Sequence, residues 1–412
     1  MAYGLLSLSQ DDLYKRRNTE SSLVLIYLLL IPILISNCKA QEQSSITGKI
    51  VLHDGWKPMA YLIQPGQFNE IASDFRGAVI DSAEIKHDGS FDFDPLTLSS
   101  EKTLLLIAIQ KTGNRFPNHL MEDAPREANY IPFVLRSGEE INLSADANNF
   151  QESCTFQHPS IDNQTMVALR DIRIKAFATF QDDQMGDSEN DTLLLEKEGV
   201  YMAYAGQMME FADTTSCLEA ALVAIRWISP SGDYERMPEF FYGQCQKWND
   251  LNPDHPFTKQ LCTAADKTNL PVLIGEKFPD FELPLMNGDT VLLSKLSGKK
   301  ITLIDIWASW CAPCRKENRE VLLPLWNKYK DHGLQIIGYS IDNDQSSWAE
   351  AIRKDGAVWT HTSHLTGDAT PFLEAMRITT IPANFILDAE GKVIAKNLYG
   401  DALQDFVKAQ LQ

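Results

Sequence analysis

The sequence predicts an α/β domain at its C-terminal end, preceded by a β-rich sandwich or barrel and then a helical region. Three observations carry this. Short apolar segments punctuated by turn signals fill residues 45–147, helical periodicity fills 164–267, and strands alternate with helices from Pro271 to the end. The corresponding division is 41–150, 151–268 and 270–412, behind an export segment at 1–40. A chain of 412 residues is long enough for two or three domains. Its 44% hydrophobic and 23% charged content suits globular folding and excludes collagen-like or polytopic membrane chains. The net charge of -19 argues against nucleic acid as a partner, because phosphate backbones are held by clustered Lys and Arg.

At the N-terminus, Lys15, Arg16 and Arg17 precede an apolar run at 23–35, which suits a signal sequence and is too short for a membrane span. Two processing sites stay open. Ile35-Ser36-Asn37-Cys38 is close to a lipobox that would leave Cys38 as a lipid anchor, with Asn37 where a small residue is usual. An ordinary signal peptidase would cut after Ala40. Either cut sends the chain to an oxidising compartment, where the other six cysteines can be disulfides, buried thiols or redox groups.

In the β-rich region, strands are expected at segments such as 47–52, 78–85, 104–109 and 131–135, with turns at His87-Asp88-Gly89 and Arg136-Ser137-Gly138. Helices are expected at 166–180, 193–211 and 217–228, with the acidic stretch 181–191 as a solvated loop whose carboxylates lack ion-loop spacing. Cys154, Cys217, Cys245 and Cys262 lie ahead of the α/β domain. A stapling disulfide among the last three and buried free thiols are equally consistent with the spacing. In the α/β domain, strands are expected at 301–306 and 334–341, and a hairpin pairs 384–387 with 393–396 around the turn 388–391. His361 and His364 read as ordinary loop residues.

The chemistry is concentrated in Leu303-Ile304-Asp305-Ile306-Trp307-Ala308-Ser309-Trp310-Cys311-Ala312-Pro313-Cys314. An apolar strand runs into two cysteines two residues apart, and a helical stretch follows at 315–330. Cys311 would lie at a helix N-terminus, where free backbone N–H groups and the helix dipole favour the thiolate that attacks disulfides. Cys314, one turn later, would resolve the mixed disulfide, and Pro313 fits the first helical turn. Other readings of the pair are weaker. A zinc site would need a second Cys or His pair, haem attachment would need His where Arg315 stands, and so tight a structural disulfide would remove little chain entropy. Asp305, in apolar surroundings, is a candidate proton acceptor for Cys314, or else a structural acid. Glu317, one turn beyond Cys314, either faces the dithiol or lies on the helix surface. Trp307 reads as core and Trp310 as an active-site flank.

This segment resembles the thioredoxin superfamily, and more closely the TlpA/ResA-like branch of exported thioredoxin-like proteins. The resemblance covers residues 274–411 and includes Gly275-Glu276-Lys277-Phe278-Pro279-Asp280-Phe281, Tyr339-Ser340-Ile341-Asp342 and Ile381-Pro382. It implies a central sheet flanked by helices, a Cys311/Cys314 dithiol on the first long helix, and a cis proline at Pro382. The backbone of Ile381 would then lie beside Cys311, with Trp310, Pro313 and Ile381 contacting substrate. Asp305 matches the buried acid of thioredoxin, and Glu317 the helix acid of the ResA-like members. Two departures stand out. Arg319 occupies the place of a common helix-kinking proline, with Pro324 five residues later, and Ala383 follows Pro382 where Thr is common. The two leading regions look like extensions fused to such domains in Gram-negative bacteria.

The function expected from this reading is reduction of envelope protein disulfides in the periplasm, without metal or cofactor. Apocytochrome c is one candidate client, and a membrane thiol donor of the DsbD or CcdA type would restore the dithiol. Two rivals stand beside it: a peroxiredoxin-like peroxidase, which the proline-free Trp307-Ala308-Ser309-Trp310 context disfavours, and an envelope-anchored binding module with a vestigial redox domain.

Overall fold

The structure, a computed structural model, describes residues 42–121, 124–184 and 194–412. The export segment with Cys38, and residues 185–191 of the expected acidic loop, lie outside the described residues. Residues 42–157 form a sandwich of two sheets. One sheet runs Ser90–Asp92, Gln43–Val51, Glu140–Asp146 and Thr155–Gln157, with Leu96–Thr97 also paired to Gln43–Val51. The other runs Ala78–Glu84, Trp56–Gln64, Lys102–Lys111 and Tyr130–Arg136. Ile46, Phe91, Leu105, Ile107, Phe133 and Leu143 fill the space between them.

The Lys102–Lys111 strand explains its own sequence. Leu105, Ile107 and Ile109 face the sandwich core, while Leu104, Leu106 and Ala108 face a second core built with the helices. A strand covered on both sides reads as an unbroken apolar run, and residues 104–109 are one. The covering helices are Ile161–Gln184, Leu194–Thr214, Leu218–Ile228, Pro238–Leu251 and Pro256–Ala264. The first runs past the expected end at 180 and takes up the first residues of the expected loop, since Gln181-Asp182-Asp183-Gln184 contains no Gly or Pro to stop it. The Leu218–Ile228 helix is buried along its whole length. Its Arg226 is accommodated there because the guanidinium donates to Ser73 Oγ at 2.7 Å and to the Ser229 carbonyl at 3.0 Å. Cys245 and Cys262 form a disulfide between the last two helices, with Cα atoms 4.8 Å apart, while Cys154 and Cys217 are free and buried. No described helix is long and apolar enough to cross a membrane.

The C-terminal sheet has the order Thr360–Thr362, Leu334–Ser340, Ile301–Trp307, Ala383–Asp388, Val393–Lys396. The first three strands are parallel and the last two antiparallel to their neighbours. Ile301–Trp307 is buried at every residue, because helices cover both faces of this central strand. Gly338 on its neighbour is required by close approach: a Cβ there would lie 2.6 Å from His361 Nδ1. His361 is therefore not a loop residue. It lies in the Thr360–Thr362 strand, packed against the rings of Trp307 and Trp359, and burial drives its pKa down to about 4.

Candidate active site

Three elements converge at the end of Ile301–Trp307. The strand leads through Ala308-Ser309-Trp310 to Cys311, which is the N-cap of the Ala312–Glu317 helix. Ser309 anchors the turn: its N–H donates to Asp342 Oδ2 at 2.9 Å and its hydroxyl to Asp342 Oδ1 at 2.5 Å. Cys311 and Cys314 are joined in a disulfide with Cα atoms 5.3 Å apart, and the Cys314 N–H donates to Cys311 Sγ at 3.3 Å. Both cysteines are buried in this closed state, whereas Trp310 beside them is 66% exposed and Trp307 is fully buried. Pro313 occupies the first helical turn.

The helix continues through a π-helical turn, Asn318–Leu322, into Leu323–Tyr329. The Leu323 N–H reaches back to the Asn318 carbonyl, and Pro324, which has no N–H to offer, follows at once. The irregularity thus falls between Arg319 and Pro324. Arg319 donates to Asp355 Oδ1 at 3.0 Å, and Arg315 pairs with the same carboxylate through both Nε and Nη2, the latter at 2.7 Å. Arg315 also donates to the Ser309 carbonyl at 3.0 Å, tying the cysteine turn to the Gln345–Asp355 helix.

Alternation along the central strand sets the acid. Asp305 shares the parity of Ile301 and Leu303, whose side chains pack with Leu322, Leu403 and Val407 under the active-site helix and the Gly400–Leu411 helix. Its carboxyl is buried, and its pKa is raised to about 8, first by desolvation and second by the Glu317 carboxylate. Glu317 is also buried, which excludes the helix-surface reading. Burial raises its pKa against the opposing effect of the Gly400 N–H, which donates to Glu317 Oε1 at 2.9 Å. The Ile381–Pro382 bond is cis, and Ile381 packs against the apolar cluster that contains both cysteines. The Pro382 carbonyl accepts from Tyr399 Oη at 2.7 Å and from Arg236 Nη2 at 2.8 Å.

Asp305, Glu317, Cys311, Cys314, Pro313, Trp310 and the 381–382 peptide are thus carried on the strand, helix and loop that meet at this end of the sheet. The sequence reading did not single out Tyr399, Arg236 or the Arg315–Asp355 pair. Asp342 had entered only within the Tyr339-Ser340-Ile341-Asp342 segment and Arg315 only as the residue that excludes haem attachment, and no local motif marks the others. Among the described residues, one grouping of three has metal-ligand proximity, Asp162, Cys217 and Glu219, within 4.8 Å of one another. Lys102 Nζ already stands 2.7 Å from Glu219 and 3.7 Å from Asp162 and supplies the counter-charge.

Residues 274–396 match the AhpC/TSA family. Among curated proteins, a thiol-disulfide oxidoreductase ResA of Bacillus cereus is 26% identical over 156 residues, which is 38% of this chain and 86% of that relative. The thiol:disulfide interchange protein DsbE of Pseudomonas fluorescens biotype C is 35% identical over 83 residues, covering 20% of this chain and 44% of the relative. The solved thioredoxin domain of a thiol-disulfide oxidoreductase from Bacteroides vulgatus is 32% identical, covering 34% of this chain and 99% of that one, with a TM-score of 0.32. Over this domain the chain is thus similar to thiol-disulfide oxidoreductases of the ResA and DsbE kind. These two curated relatives span 38% and 20% of this chain, and they do not favour the peroxidase alternative.

Proposed function

We propose that this thiol-disulfide oxidoreductase is exported to the cell envelope and reduces protein disulfides there through Cys311 and Cys314. One observation carries the reading: Cys311 caps the N-terminus of a helix that carries Cys314 and Glu317, and the Glu317 carboxylate reaches the buried Asp305, whose pKa is raised to about 8. In the reduced enzyme, the Cys311 thiolate attacks one sulfur of a client disulfide and releases the other as a thiolate, leaving a mixed disulfide. Cys314 then attacks Cys311 Sγ, its proton passing to Asp305, and the second client sulfur departs as a thiolate. Two electrons move to the client, and the enzyme is left with the Cys311–Cys314 bond. The Glu317 carboxylate, when ionised, favours the protonated form of Asp305. Ile381, presented by the cis Pro382, offers its backbone to an extended client segment, with Trp310 and Pro313 flanking it.

A membrane thiol donor of the DsbD or CcdA type would return the electrons, and apocytochrome c is a client class whose thiols must be kept reduced. The basic, then apolar N-terminal run supports a periplasmic location in a Gram-negative cell, with Cys38 either kept as a lipid anchor or removed by cleavage after Ala40. The decisive experiment is client trapping in the envelope with Cys314→Ser, which should accumulate covalent adducts on Cys311. A reduction potential near that of strong oxidants, about -120 mV, would reverse the direction proposed.

A further inference from the structure

The helical region reaches the loop that precedes the Ala383–Asp388 strand. Glu235 accepts from the N–H groups of Thr379 at 2.9 Å and Thr380 at 3.2 Å, and from the Thr379 hydroxyl. Next to it, Arg236 donates to the Pro382 carbonyl at 2.8 Å and to Asn397 Oδ1 at 3.0 Å. Its Nε lies 3.0 Å from Glu198 Oε1 on the Leu194–Thr214 helix. One guanidinium therefore serves three acceptors in its plane, which the single ammonium of a lysine would match poorly. Leu195, one turn before Glu198, lines a cavity of about 500 Å³ together with Pro313, Glu317 and Tyr399. The helical region thus holds the proline loop and shares a cavity with Pro313 of the active-site helix.

Thr379 and Thr380 are exposed and make no β-ladder pairs of their own, so contacts from outside the domain hold their amides. A client strand that pairs with a loop already held in place does not bear the cost of ordering it. We infer that Arg236, oriented by Glu198 and assisted by Glu235, is a positioning residue for the client-binding loop 379–382, so that the helical region forms part of the client site. The inference rests on the proposed role of Ile381 and Pro382 in receiving the client.

The test uses the full chain and two substrates, insulin as a protein disulfide and hydroxyethyl disulfide as one too small to pair with the loop. Arg236→Gln should raise KM for insulin about tenfold, leave kcat within about twofold, and leave the small disulfide and the reduction potential of the pair unchanged. The exchanged pair Glu198→Arg with Arg236→Glu keeps an ion pair but offers no donor to Pro382, and KM should stay high. Restoration of KM by the exchange, equal losses on both substrates, or no change on either would overturn the inference. If Arg236→Gln loses cooperative unfolding, Glu235→Gln is read in the same assays, with a KM rise of about threefold expected and no rise counting against the clamp. A wild-type chain that reduces neither substrate would remove the proposed function, not the clamp. The clamp is then decided by hydrogen exchange at the Thr379 and Thr380 amides, which Glu235→Gln should accelerate at least about tenfold, and which unchanged exchange would refute.

Discussion

Asp305 sits in an environment far from what its side chain would meet in water. In the unfolded chain its carboxyl titrates near the ordinary value of about 3.9, whereas in the fold it does so at about 8. Between these values the folded state holds the extra proton, so stability falls as pH rises across that window. Asp305→Asn should consequently be more stable than the parent at pH 8 or above, by an amount on the order of several kcal/mol, read from denaturant midpoints. The same variant should lose the inflection near pH 8 in the rate at which the mixed disulfide resolves. An unaltered inflection would reassign the base. His361 works in the opposite direction: its lowered pKa means that the unfolded chain takes up protons first, so its contribution to stability is lost as pH falls from about 6.5 towards 4.

At the scale of elements, the active-site helix is regular only in pieces. Its π-helical turn lets Pro324 follow without a missing hydrogen bond inside a regular helix, and the Arg315 and Arg319 guanidinium groups lock the turn to the buried Asp355. Asp355 is 1% exposed at its side chain while its partners are 18% and 47% exposed, so water can take up part of the loss if the carboxylate is removed. Asp355→Ala is expected to cost about 2 to 3 kcal/mol, below the range for a fully buried pair, and to shift the Cys311–Cys314 potential because Arg315 also holds the Ser309 carbonyl. Equilibration with glutathione at fixed pH would measure that shift, and an unchanged potential would confine the pair to stability. The pattern of apolar residues makes strand, turn and helix readable here, because each residue's role follows from its nearest neighbours along the chain. The π-helical turn is not readable, because it depends on what Arg319 meets on another helix.

For the whole molecule, the four-stranded sheet of the sandwich is the shared wall of two cores, with Leu105 and Ile107 on one side and Leu104 and Leu106 on the other. Leu106→Ala, fully buried on the helical side, should cost about 2 to 5 kcal/mol. It should also lower the unfolding midpoint of the sandwich and the helices together; separate transitions by tryptophan fluorescence and far-ultraviolet circular dichroism would contradict a shared wall. The sequence alone determined the dithiol, the strand that delivers it, the acid six residues upstream and the order of β-rich, helical and α/β regions, because spacing and periodicity are local properties. Tertiary structure decided that Glu317 is buried, that Cys245 pairs with Cys262 and leaves Cys217 free, and that Glu235 and Arg236 hold a loop well over a hundred residues away. Those outcomes depend on which surfaces meet when distant segments pack, and no short window of residues contains both sides of such a contact.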